Sequence, residues 1–86
     1  MTPAYTVYVR VEVYEFVRKC GREEQRNVVD LLKALEMNPF LAGDYQEKDE
    51  AGRKLDIKLC GRLAIIYYVD HAVKEIKVIE SEYADK

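Results

Sequence analysis

The sequence is short of the residue types from which self-contained catalytic centres are built. It holds two cysteines, Cys20 and Cys60, and a single histidine, His71. The cysteines show no CxxC spacing, so neither a zinc site nor a disulfide framework is expected. They read as free thiols of a reducing compartment. No cluster of His, Cys and Asp has ligand spacing, and no metal or other cofactor is expected. There is no glycine-rich phosphate loop and no GxSxG elbow. His71 stands in a predicted turn and reads as an exposed turn residue. No apolar run approaches the ~18 residues of a membrane-spanning helix. The start of the chain lacks the apolar stretch of a signal peptide, so the cytoplasm is the expected location. An excess of charge of one sign is missing too: 14 basic residues face 16 acidic ones, a net charge of −2. The whole-molecule field does not draw nucleic acid, and any such contact needs a local basic patch.

What is present is ordinary globular chemistry. Of 86 residues, 49% are hydrophobic and 35% charged. That allows one domain, residues 1–86, with one thin core. Its stability is expected at the low end of about 5–15 kcal/mol.

Tyr5 to Val13 alternate, with Tyr5, Val7, Val9, Val11 and Val13 on one side, which reads as a strand with one buried face. From Val13 the period changes, since Val13, Phe16, Val17 and Cys20 follow helical spacing. The strand-to-helix switch is expected between Arg10 and Val13. Gly21 separates this helix from a second, Arg22 to Met37, with the apolar stripe Val28, Leu31, Leu32 and Leu35. Asn38-Pro39 stops it. A loop follows to Asp44, then a short polar strand over Tyr45 to Asp49 and a turn at Glu50-Ala51-Gly52.

Lys54 to Cys60 alternates, with Leu55, Ile57 and Leu59 expected inward and Lys54, Asp56, Lys58 and Cys60 outward. Gly61-Arg62 is a two-residue hairpin connection. Leu63 to Val69 is apolar on both faces. Asp70-His71-Ala72 turns the chain into a last strand, Ile76 to Ile79, and 81–86 read as a polar tail. The expected fold is α+β: a two-layer sandwich of N-terminal strand, helical hairpin and antiparallel β-meander.

The second face of such a sheet is usually polar. Here it is mixed, because in Leu63–Val69 both Ile65, Tyr67 and Val69 and Ala64, Ile66 and Tyr68 are apolar or aromatic, whichever set faces outward. Either the central strand is simply apolar, with lysine stems laid over it, or that face binds a partner. Lys54, Lys58, Arg62 and Lys77 are expected on or beside it. Cations around aromatic rings suit RNA, for phosphate contact and base stacking.

The run from Gly52 to Asp70, containing Leu55-Asp56-Ile57-Lys58-Leu59-Cys60-Gly61-Arg62-Leu63-Ala64-Ile65-Ile66-Tyr67-Tyr68, followed by Lys74 to Ile79, resembles the C-terminal meander of the RelE/ParE toxin superfamily. The first strand, the helix ending Arg18-Lys19-Cys20 and the helix closing at Asn38-Pro39-Phe40 fit the same architecture. The resemblance implies the toxin of a type II toxin–antitoxin pair, silenced by a cognate antitoxin. A RelE-like member is a ribosome-dependent endoribonuclease that cleaves mRNA and inhibits translation, without a metal. A ParE-like member is a non-catalytic inhibitor of DNA gyrase. A nuclease-dead homologue is the related alternative. Homo-oligomerisation stays open.

Carried over by position, the nuclease reading puts Lys58, Arg62 and Tyr83 in the catalytic set, with Lys54 and Lys77 holding RNA. The cations would stabilise the phosphorane and Tyr83 would move a proton. The sequence departs from the family where a strand cation falls on Asp56, where an arginine falls on Ala64, and where C-terminal arginines give way to Glu80-Ser81-Glu82-Tyr83.

Overall fold

The opening alternation is cut short by the helix that follows it. In a computed structural model, which describes residues 4–84, β1 is Thr6–Val9 and α1 begins at once, at Val11–Arg18. Val11 therefore leaves the buried face that alternation assigned to it and stands in solvent. Only Val13 of this helix is fully buried. Arg18 closes the last turn and pairs with Glu15 at 3.2 Å. The second helix, α2, is Arg22–Met37, with Glu23 and Glu24 in its first turn, where acids favour the helix dipole. Gln25 of α2 donates through Nε2 to the carbonyls of Arg18 and Cys20, at 3.0 and 3.1 Å. That bond pair ties the end of α1 to the start of α2 and satisfies carbonyls a helix end leaves open.

The remaining strands are β2 (Tyr45–Lys48), β3 (Lys54–Cys60), β4 (Leu63–Asp70) and β5 (Glu75–Tyr83). They form one sheet in the order β1-β5-β4-β3-β2. The meander is antiparallel throughout, and β1 joins its end parallel to β5. The sheet is therefore mixed: the two helices carry the chain from β1 to the far edge at β2, and the meander returns it until β5 lies parallel beside β1. The last strand is also longer than Ile76 to Ile79. Ser81–Tyr83 pair with Leu63–Ile65 instead of forming a polar tail; 85–86 lie outside the described residues.

Two helices cover one face of the sheet. Val13, Val28, Leu31 and Leu35 pack against Leu63, Ile65, Tyr67, Ile76 and Val78, all nearly or wholly shielded from solvent. Tyr67 sits at the centre, and its hydroxyl donates to the Leu41 carbonyl at 3.0 Å. Burial, helped by Asp56 and Asp44, pushes its pKa up to about 12, so it stays a neutral donor.

Candidate functional site

Two local features decide which face each candidate residue occupies. The first is the β3–β4 hairpin. Gly61 takes a positive φ of 62°, which permits the two-residue turn. That turn pairs Cys60 with Leu63, Lys58 with Ile65 and Asp56 with Tyr67. Residues paired across strands share a face, so Cys60, Lys58 and Asp56 join the helix side. The expected assignment of β3 is reversed: Cys60 is 7% exposed in the core, and Leu59 is 40% exposed on the other face.

The second is a β-bulge between Ile66 and Tyr67, where the partner of Ile66 is Glu80 and that of Tyr67 is Val78. Ile79 is the extra residue. One inserted residue inverts the alternation beyond it. Glu80 and Glu82 are thereby placed opposite Ile66 and Ala64, on the open face. Ser81 and Tyr83 are placed opposite Ile65 and Leu63, on the helix side.

The four cations and one tyrosine of the sequence-based set are consequently dispersed. Lys77 alone lies on the open face, paired with Glu75 at 3.2 Å and 4.9 Å from the ring centre of Tyr8. The Glu75 hydrogen bond raises its pKa above the ordinary lysine value. Lys58 is on the helix side, where its ammonium meets Asp44 at 3.4 Å. Asp44 also accepts the Leu59 N–H at 2.8 Å. That backbone bond, with Lys58, holds the Asp44 carboxyl below its ordinary pKa against the opposing effect of desolvation. Lys54 lines a separate concavity with Phe40 and His71. Arg62 lies in the hairpin, 3.9 Å from Glu24 and 5.7 Å from the Tyr83 ring centre.

Arg62 and Tyr83 are the one pair of the set that the fold brings together. Tyr83 also packs on Phe16, and its hydroxyl lies 3.8 Å from the Cys20 sulfur. The hydrogen bond and charge of Cys20 raise the pKa of Tyr83, and Arg62 lowers it by less. The phenol is held neutral, the form that can give a proton and not the form that takes one. Cys60 is also a poor nucleophile, because burial raises its thiol pKa.

The open face is continuous and mostly apolar. Tyr45 of β2, Ile57 and Leu59 of β3, and Ala64, Ile66 and Tyr68 of β4 lie in register across it. Tyr8 of β1 extends it beyond Lys77. Arg53, just before β3, lies with its guanidinium 4.3 Å from the Tyr68 ring centre. Glu80, Glu82 and Glu47 border it, all placed there by register. Sequence reasoning missed Arg53, Leu59 and the glutamates, because each depends on the hairpin register or the bulge. Among the described residues no group of three or more His, Cys, Asp or Glu could hold a metal ion. Among them, too, no helix is long and apolar enough to cross a membrane.

No protein-family model matches the sequence, and no curated protein matches it. The fold does have a counterpart. The chain is similar over 100% of its length to 99% of a chain from the crystal structure of the archaeal RelE–RelB complex of Pyrococcus horikoshii OT3, with a TM-score of 0.82 and 19% identity. The architecture is therefore the RelE-like α+β fold.

Proposed function

We propose that this chain is the toxin-fold half of a toxin–antitoxin pair, and that it works by binding a protein on its open sheet face. The shared fold with a chain of a RelE–RelB complex supports the pairing with a cognate antitoxin. The observation that carries the binding mode is the chemistry of the open face: Leu59, Tyr45 and Tyr8 exposed on it, Ala64 and Ile66 nearly shielded between them, and Glu80 and Glu82 alongside. Metal-free RNA cleavage needs cations converging on one phosphate. Here glutamates occupy the β5 side of that face, and Lys54, Lys58 and Arg62 are elsewhere. An apolar surface with an acidic border fits a polypeptide bearing apolar and basic side chains. The antitoxin is that polypeptide in the silenced state. In the ParE-like form of this reading, the freed face addresses DNA gyrase.

The nuclease reading rests on a different observation, the Arg62–Tyr83 pair. In it, Arg62 stabilises charge on phosphate and Tyr83 protonates the leaving oxygen, with Lys58, Lys54 and Lys77 as RNA contacts on the ribosome.

Primer extension on an mRNA in a cell-free translation reaction separates the two. Intact mRNA beside a working control nuclease upholds the binding reading, and cuts that need ribosomes overturn it. The neighbourhood of the gene is then searched for a small open reading frame, whose product is co-expressed with a tag. Co-purification of this chain, lost on Leu59→Glu, upholds the open face as the interface.

A further inference from the structure

Three rings used by neither reading, Tyr5, Phe40 and His71, gather at one place. Phe40 follows the end of α2, and its ring stacks on His71 with 4.7 Å between centres and 12° between planes. Tyr5 packs edge-on to both and shares a hydrogen bond with His71 Nδ1 at 2.8 Å. Phe40 is nonetheless 74% exposed, so one face of its ring is bare. A concavity of about 320 Å³ runs beside the stack, lined by Phe40, His71, Leu41, Gln46, Lys54 and Asp56 among others.

The charge at this concavity is unusual for an acidic chain. Lys54 stands directly opposite Lys48 across the β2–β3 ladder. Like charges in that position repel and weaken the pairing of the strands. Neither lysine makes an ion pair among the described residues, whereas Lys58 and Lys77 each do. The carboxylate that lines the concavity, Asp56, is engaged by the Gly43 N–H and by Gln46 Nε2, both at 3.1 Å. Lys54 lines the concavity with the bare Phe40 ring, and register sets Lys48 next to Lys54 at its edge, so cation and ring meet the two demands of one ligand chemistry. A phosphate relieves the repulsion, and a flat base covers the ring.

We propose that this concavity binds a nucleoside phosphate, with the base on the open face of Phe40 and the phosphate between Lys48 and Lys54. The site lies on the helix side of the sheet, apart from the open face, and stands or falls independently of the antitoxin reading. A free nucleotide and a single-stranded RNA segment share this chemistry.

The test is an NMR titration of the intact protein with 5′-UMP and with hexauridylate at low salt. Expected are saturable shifts at His71, Phe40 and Lys54. Phe40→Ala should weaken binding roughly tenfold, as loss of one base–ring stack does. The double change Lys48→Glu with Lys54→Glu should abolish it. All the changed side chains are exposed, and circular dichroism verifies that the variants fold. Tighter binding of the hexamer assigns the site to RNA, and equal affinity assigns it to a free nucleotide; both uphold it. Absence of shifts at millimolar nucleotide overturns the proposal. So does binding that both variants retain.

Discussion

The two faces of β4 have nearly the same composition and are covered in different ways. Leu63, Ile65 and Tyr67 are sealed under the helical hairpin. Ala64, Ile66 and Tyr68, one residue out of phase, face a side with no helix. Ala64 and Ile66 still escape most solvent, screened by neighbouring side chains. The difference teaches that burial on the helix face is made by layers, and burial on the open face by a thin cover of long side chains. Arg53 over Tyr68 and Lys77 over Tyr8 belong to that cover. Removing a core side chain should therefore unfold the chain, while changing the open face should alter what it binds.

The largest expected effect tests the sealed side. Ile65→Ala should cost about 2–5 kcal/mol in urea unfolding, because the close-packed layer cannot collapse into the cavity left. A loss as small as that of a surface residue would break the contrast between the faces. Next comes Tyr67→Phe, which keeps the packing and removes the hydroxyl bonded to Leu41. A loss of about 1 kcal/mol is expected.

A smaller effect concerns Asp44, which joins the β2 entry to β3. Its carboxyl is held below the ordinary value of 3.8 in the folded chain. A lowered folded pKa gives stability that is complete above the ordinary value and lost as pH falls through the folded one. Acid unfolding of Asp44→Asn should show a shallower dependence in that range than the parent chain. The group is exposed, so the difference is modest. An unchanged acid profile would mean that the Leu59 N–H bond does not depend on the charge.

The smallest expected effect on stability, within about 0.5 kcal/mol, is that of Leu59→Glu on the open face. The same change should abolish antitoxin capture. Destabilisation on the scale of Ile65→Ala would show that the open face is a structural surface like the other. Alkylation kinetics sharpen the contrast further within the helix side. Cys20, half-buried at its edge, should react with iodoacetamide well before the buried Cys60.

Much of the fold was legible in the residues. The limits of α2 follow from Gly21 and Asn38-Pro39, and the hairpin follows from Gly61-Arg62. The apolar excess on β4 was legible too, and it marks the open face. The site was less so. Alternation finds the two faces of a strand but does not say which one meets the helices. For β3 the answer came from pairing Cys60 with Leu63, so Lys58 left the face proposed for it. For β5 the residues beyond Ile79 read as a polar tail, so neither the extension to Tyr83 nor the bulge at Ile79 that sets Tyr83 on the face opposite Lys77 was legible.

The sequence by itself determined the element order, the helical hairpin and the meander, because each follows from local periodicity and from residues that stop or turn the chain. The tertiary structure decided the parallel docking of β1 on β5, the face on which Lys58 and Tyr83 sit, and the meeting of Phe40 with His71. The physical reason is the same in all three. Strand register and bulges are fixed by the partner strand and by the layer packed above it, neither of which is written in the spacing of any one segment.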